Sequence, residues 1–313
     1  MKTFRNAFPY ITDTPIPANI ADLLEKHRFD GLSDSDRRGQ GWGYIGDERM
    51  IHVDGKFLFR YYFSQRKANP LAVRHLAGER QQKAIDEGRE LTGDLIDEIR
   101  LQAENEVIKY APVTSVSVFI LFWPAKRLLI ASGSTAAKCE DALSMLRRTL
   151  DGLSAVPWGL SHTMSHAVTE YMTAKSRVYK LPDNLVISPF GKVIFSGVLD
   201  SSLKIVLDGV QNDTEDAKNM LEGMSARSVE MSLIDRPDNG QIKNQANFVL
   251  HMPLSGNVHL KNFDYDDDIE REGGDMLYIA EMYLVSAYMP DILLALEDFS
   301  GMKAGGAEVF QDE

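Results

Sequence analysis

Between Lys56 and Phe63 the chain alternates in period two, with an aromatic residue at every second position, and six residues later it reaches the pair Asn69-Pro70. Alternation of this kind is the mark of a strand, with Phe57, Phe59, Tyr61 and Phe63 on one side and Lys56, Leu58, Arg60 and Tyr62 on the other. Asn is a good N-cap and Pro a good first helical residue, so a helix is expected from Pro70 to the stop signal at Gly88. Thr92 caps a second helix in which Leu95, Ile99 and Ala103 recur at helical spacing, ending near Tyr110–Pro112. The short link between the two makes them an antiparallel, very polar hairpin. A strand running into an inserted helical hairpin and back into strand at Ser115–Trp123 points away from regular βαβ winding.

The remaining pattern agrees with an α+β fold. Strands are expected at Phe4–Ile11, at the Gly-rich Arg37–Ile45 and at Leu128–Ser132, with Pro124–Arg127 as a turn. Cys139, Leu143, Leu146 and Leu150 form the apolar stripe of a helix. Short strands follow near 185–207 and 227–234 around a helix at Thr214–Leu221, then strands at Phe248–Met252 and Val258–Phe263. The most apolar window, Met276 to Phe299, is interrupted by Glu281, Pro290 and Asp291, and is expected to be a buried strand followed by a helix rather than a membrane span. Val156-Pro157-Trp158 is the expected boundary between domains.

Charge is distributed unevenly. The chain carries a formal −12, yet Lys56 to Lys83 holds seven Lys/Arg against one acid, Glu79, while Asp200 to Glu313 holds 23 acids against 8 bases. A cationic stretch in an acidic protein suits a polyanion. If the extended geometry continues, Arg66 shares the face of Lys56 and Arg60. Lys67 follows just before the cap, Arg74, Arg80 and Lys83 carry the charge onto the hairpin, and Lys126 and Arg127 sit in a tight turn. A run of solvated surface residues is the plain alternative. The single cysteine, Cys139, excludes an internal disulfide and suits a reducing compartment.

Catalytic readings are weaker. His162, His166 and Glu170 would stack on one helical face, but a zincin needs Glu directly after the first His, and here it is Thr163. The acidic run Asp264–Glu272 lacks the glycine and alternation of a calcium loop. Arg38-Gly-Gln-Gly-Trp-Gly43 does not match a P-loop. No catalytic residue, metal ligand or cofactor is expected.

Several segments are similar, in order, to the RdgC family of recombination-associated proteins. They are Phe4-Arg-Asn-Ala-Phe-Pro-Tyr10, Gly41-Trp42, the block from Arg127 to Val156 (RLLIASGSTAAKCEDALSMLRRTLDGLSAV), Val168-Thr-Glu-Tyr171 and Asp266-Asp-Asp-Ile-Glu-Arg-Glu272. The resemblance implies an α+β subunit with a central mixed-sheet domain (1–68 plus 113–157), a helical-hairpin tip (69–112) and a larger α+β base domain (158–313). It implies a ring-shaped homodimer around double-stranded DNA, bound without sequence preference. It further implies a restraining role on a RecA-type recombinase exerted through the DNA, no membrane, and a cytoplasmic, nucleoid-associated location. The expected DNA contacts are Lys56, Arg60, Arg66, Lys67, Arg74, Arg80, Lys83, Lys126 and Arg127. Tyr110 is the candidate dimer-interface aromatic, with a plain core role as the alternative. Where the family has a Lys-rich segment in its base domain, this chain has Leu207-Asp-Gly-Val-Gln211. Two other functions stay open: a metal-dependent DNA-processing enzyme, and an acidic member that binds a recombination protein instead of DNA.

Overall fold

The computed structural model describes residues 3–33, 36–173, 178–209, 214–236, 242–265 and 274–302. In chain order the elements are β1 (Phe8–Thr12), α1 (Ile20–Lys26), β2 (Arg38–Trp42), β3 (Met50–Val53), β4 (Lys56–Arg66), α2 (Pro70–Asp86), α3 (Gly93–Val107), β5 (Val113–Trp123), β6 (Leu128–Ser132) and α4 (Ala136–Thr149). There follow β7 (Ala155–Pro157), α5 (Ser161–Thr173), β8 (Leu185–Ile187), β9 (Val193–Gly197), β10 (Lys204–Leu207), α6 (Glu215–Met220), β11 (Met224–Asp235), β12 (Lys243–His251), β13 (His259–Tyr265) and α7 (Asp275–Ser300). The class is α+β, as the sequence predicts; both sheets are antiparallel, which corrects the mixed sheet expected for the central domain. The chain divides into two compact units, one of Met1–Leu23, Tyr44–Arg60 and Val118–Glu313, the other of Leu24–Gly43 and Tyr61–Ser117.

The second unit contains the hairpin. Asn69 accepts a hydrogen bond from Leu71 N at 2.9 Å and Thr92 one from Leu95 N at 3.3 Å, so both helices start where their caps predict. Gly88 takes φ +78° in the turn between them, a backbone region that a side chain disfavours. The seam is narrow: Val73, Ala77 and Ala84 of α2 meet Ile99 and Ala103 of α3. Alanines at the contact let the two backbones approach. In the same unit β2 pairs antiparallel with the later part of β4, from Arg38↔Gln65 to Trp42↔Tyr61.

The glycines of Arg38–Trp42 have a packing reason. A Cβ on Gly39 would lie 2.6 Å from the Phe29 ring, and one on Gly41 would overlap the His27 carbonyl oxygen. Backbone bonds join Trp42 N to His27 O and Phe29 N to Trp42 O, each at 2.9 Å. The Gly-rich motif is thus a close approach of two chain segments.

In the first unit β1 pairs with β6, and the segment expected as a boundary is instead strand β7 on the other side of β1, with Tyr10↔Pro157 and Thr12↔Ala155. Trp158 is buried behind it and donates from Nε1 to Glu297 Oε1 at 2.6 Å. The second sheet runs β10-β9-β11-β12-β13, with β8 also paired to β11. Cys139, Leu143 and Leu146 of α4 are buried as the stripe predicts.

The expected strand followed by a helix in Met276–Phe299 is corrected. One 26-residue helix, α7, covers it, with Pro290 inside. Met282, Val285, Met289, Ile292, Leu293, Leu296 and Phe299, spaced three and four apart, are almost wholly buried in the core of the unit. A near-continuous apolar run carries little periodicity, so packing on both flanks decides its geometry. Among the described residues this is one helix long and apolar enough to cross a membrane, and 56% of its apolar window is buried within the protein. Glu281 interrupts the run at a position where it accepts hydrogen bonds from Thr3 N (2.8 Å) and Tyr265 Oη (3.1 Å).

Candidate nucleic-acid interface

The second unit holds an open cavity of about 470 Å³ ringed by Arg37, Arg38, Arg66, Lys67, Arg74 and Arg100, with Glu104 the one acid in its lining. Four chain segments bring these groups together. The β2–β4 register sets Arg37 and Arg38 beside Gln65 and Arg66, and Arg66 N donates to Arg37 O at 2.8 Å. The Asn69 cap turns the chain so that Arg74 follows in the first turns of α2. The return of α3 supplies Arg100. Ala68, Val73 and Ile108 give the cavity apolar wall.

Two of the cations are held by the protein. Arg66 donates to the carbonyl oxygens of Lys109 (3.4 Å) and Ala111 (3.2 Å), where the chain leaves the hairpin. Arg37 pairs with Glu104 at 3.4 Å and hydrogen-bonds Asn105. Arg38, Lys67, Arg74 and Arg100 are exposed and form no ion pair with a described residue. Like charges without a partner raise the local potential, and an anion relieves it.

The other predicted contacts lie elsewhere. Arg80 pairs with Glu106. Lys83 is exposed further along α2 and does not line the cavity. Lys56 is only 9% exposed, with its ammonium 4.9 Å from the Trp123 ring centroid and 4.8 Å from that of Tyr283. Arg60 stands 4.9 Å over Phe119 and donates to Tyr44 O at 3.5 Å. Leu58 between them is fully buried. At Lys56 and Arg60 the side of β4 expected to present a row of cations is therefore packed against aromatic rings, because long cationic side chains bury their stems and settle on π faces, and only Arg66 reaches the cavity. Arg127, at φ +52°, pairs with Asp13 at 2.7 Å, and its neighbour Lys126 is half-buried. Tyr110 is 86% exposed, which removes the core alternative.

Arg37, Arg38 and Arg100 are the lining cations that local reading passes over. Arg37 and Arg38 precede a Gly-rich strand, and Arg100 is one cation on an acidic helix. Only the pairing of β2 with β4 and the turn of the hairpin make them neighbours.

On α5, His162, His166 and Glu170 do share a helical face, and with Arg227 they line a second cleft of about 650 Å³. Its hydroxyls are committed to structure: Ser165 Oγ donates to Ala226 O at 2.6 Å, and Thr169 Oγ1 accepts from Ala226 N at 2.9 Å. Among the described residues no three His, Cys, Asp or Glu side chains converge as a metal would require. The acidic run Asp266–Glu272 and the pair Val210-Gln211 lie outside the described residues. Burial pushes the Cys139 thiol up to about 12, the opposite of an activated nucleophile.

A family model described as "Putative exonuclease, RdgC" matches residues 3–188, a span that contains every residue lining the cation-ringed cavity. The "Recombination-associated protein RdgC" of Proteus mirabilis (strain HI4320) is 25% identical over 180 residues, covering 55% of this chain and 60% of that protein. The protein of the same name from Tolumonas auensis (strain DSM 9187 / NBRC 110442 / TA 4) is 24% identical over 164 residues, covering 50% and 53%. The chain thus spans between half and two thirds of the length of these curated relatives.

Proposed function

This chain belongs to the RdgC family, and from that premise we propose that it is a recombination-associated protein that binds double-stranded DNA without regard to sequence. The observation that carries the reading is the ring of six cations around one cavity in a chain whose formal charge is −12. The second unit is close to neutral, with 12 Lys/Arg against 13 Asp/Glu, so most of the chain's negative charge belongs to the other unit. Phosphate contacts ask only for positive charge at backbone spacing, which matches a cluster of Arg and Lys with no base-reading helix. Binding releases the counterions of the phosphates that the cations replace.

In this reading the protein acts without catalysis, as a homodimer that encloses the duplex, with exposed Tyr110 at the contact between copies. Occupying the duplex obstructs a RecA-type filament, and the DNA itself draws the protein to the nucleoid of the cytoplasm. The DNA contacts are Arg38, Lys67, Arg74 and Arg100, supported by Arg66.

The test is a triple charge reversal, Lys67→Glu with Arg74→Glu and Arg100→Glu, in gel-shift titrations on unrelated duplexes at several salt concentrations. The expected result is an equal loss of affinity on every sequence and a salt slope reduced by about 0.9 for each phosphate contact removed. Unchanged binding of the variant would reject this site. Failure of the wild type to bind duplex at low salt would reject DNA binding and favour a protein partner.

A further inference from the structure

The cation ring surrounds a concavity rather than a flat or ridged face, and that shape selects its ligand. The lining is amphipathic: six cations and one acid give it a formal charge of +5, while Ala68, Val73 and Ile108 supply apolar surface at the same place. A duplex is a rod with its phosphates on the outside, and it meets a surface by running across it. A hollow of about 470 Å³ lies within the size range of small-molecule sites and is filled only by a group that enters it.

Resting on the reading of this cavity as a DNA-phosphate site, we propose that it receives one nucleotide unit carrying a terminal phosphate. The phosphate meets Arg38, Lys67, Arg74 and Arg100, and the base and sugar lie against Ala68, Val73 and Ile108. Charge separates this ligand from the continuous backbone. A phosphomonoester carries about 1.5 to 2 negative charges at pH 7 and offers three acceptor oxygens, where an internal diester carries one charge. Guanidinium groups bind such an oxygen set through paired hydrogen bonds. Arg74 and Arg100 come from the two arms of the hairpin and make no ion pair with a described residue, so no internal bond has to break for them to turn onto the ligand. Arg66 and Arg37, held by Ala111 and Glu104, keep the rim in place. The same chemistry is offered by a phosphorylated strand end and by a free nucleotide.

The experiment is a competition measured by fluorescence anisotropy on the full-length protein with a labelled short duplex. The competitors are that duplex with 5′-phosphate, 3′-phosphate or hydroxyl ends, a covalently closed circle, and a 5′-deoxynucleoside monophosphate, which is also titrated alone by calorimetry. The expected result is that one phosphorylated end outcompetes the hydroxyl end by about tenfold. The same advantage shrinks toward unity in the Arg74→Ala, Arg100→Ala double variant, whose fold is checked by circular dichroism. The wild-type ratio decides the matter without any variant. Competition by the mononucleotide assigns the site to free nucleotides as well; competition by the phosphorylated end alone assigns it to strand ends. Both support the proposal. Equal competition by phosphate and hydroxyl ends, with the circle bound and the mononucleotide inert, overturns the nucleotide site and leaves duplex binding intact. If neither the circle nor any linear duplex binds at low salt, duplex binding falls; calorimetric binding of the mononucleotide then keeps the nucleotide site, and its absence removes both.

Discussion

The Arg66 guanidinium, at the end of β4, donates to the carbonyl oxygen of Ala111 at 3.2 Å. This one bond ties the strand that enters the helical hairpin to the chain that leaves it, 45 residues later. A cation beside the last carbonyls of a helical segment also suits the helix dipole. The same side chain lines the cation-ringed cavity, so the scaffold and the candidate interface share it.

Arg66→Ala is therefore expected to lower stability by about 1–2 kcal/mol, since two carbonyl acceptors lose a charged donor. Hydrogen exchange should rise in α2 and α3. Arg66→Lys should recover only part, because an ammonium cannot reproduce the two-armed reach of a guanidinium. An unaltered exchange pattern in Arg66→Ala would show that the bond does not hold the hairpin.

Lys56→Ala should lower stability and leave duplex binding intact. The ammonium lies between the Trp123 and Tyr283 rings, and the stem is buried. Its removal is expected to cost about 1–2 kcal/mol in chemical denaturation. Duplex affinity and its salt slope should stay at wild-type values. A reduced salt slope in Lys56→Ala would return this residue to the interface.

Two glycine substitutions in the second unit are predicted to have opposite signs. Gly41→Ala drives a Cβ into the His27 carbonyl and within 2.9 Å of the Phe29 Cβ, so β2 must shift; a loss of about 2 kcal/mol or more is expected. Gly78 lies inside α2 with open space around its Cβ position. Gly78→Ala should stabilise by about 0.5–1 kcal/mol through helix propensity. Thermal melts of the two variants side by side check both signs.

Burial, then the nearby Lys261 charge and the neighbouring imidazole, pushes His251 down to about 4. Burial, opposed by the Asn257 carbonyl and assisted by Lys261, does the same for His259. The two rings are 4.7 Å apart, and His259 stacks on Phe8 at 4.3 Å. Both stay neutral in the fold while the unfolded chain takes up protons from about pH 6.5 downward. Stability is then fully present above that value and falls as the pH drops from about 6.5 toward 4, because the unfolded state binds more protons there. The loss is on the order of 2 kcal/mol per ring after allowance for partial solvent access. His259→Phe should flatten the acid limb of the pH–stability curve; a curve that keeps its full slope would assign it to other groups.

How much was legible can be judged from particular elements. The hairpin was readable to within a residue or two, because Asn69-Pro70 and Thr92 act on backbone N–H groups two or three positions away. Strand β6 and the buried stripe of α4 were readable for the same local reason. Helix α1 and strand β3 carry short, weak patterns and escaped notice. In α7 an almost unbroken apolar run hid the helical period, and only its packing within the core shows which geometry was chosen. The Gly-rich run 38–43 was readable as strand and not as a P-loop, but the reason for Gly39 and Gly41 appears only where the Phe29 ring and the His27 carbonyl stand against them.

The candidate site divides along the same line. Sequence alone determined that cations concentrate between Lys56 and Lys83, that a strand there passes into a capped helical hairpin, and that the family is RdgC. Alternation also placed Lys56 and Arg60 on one face, but it could not say whether that face meets water or aromatic rings. Tertiary structure turned Lys56 onto Trp123 and Tyr283, paired Arg80 with Glu106 and Arg127 with Asp13, and drew Arg37, Arg38 and Arg100 to Lys67 and Arg74. The reason is range. Caps and alternation act over a few residues, whereas the cavity joins positions 37, 67 and 100 through a strand pairing and a helix reversal that exist only once the chain has folded.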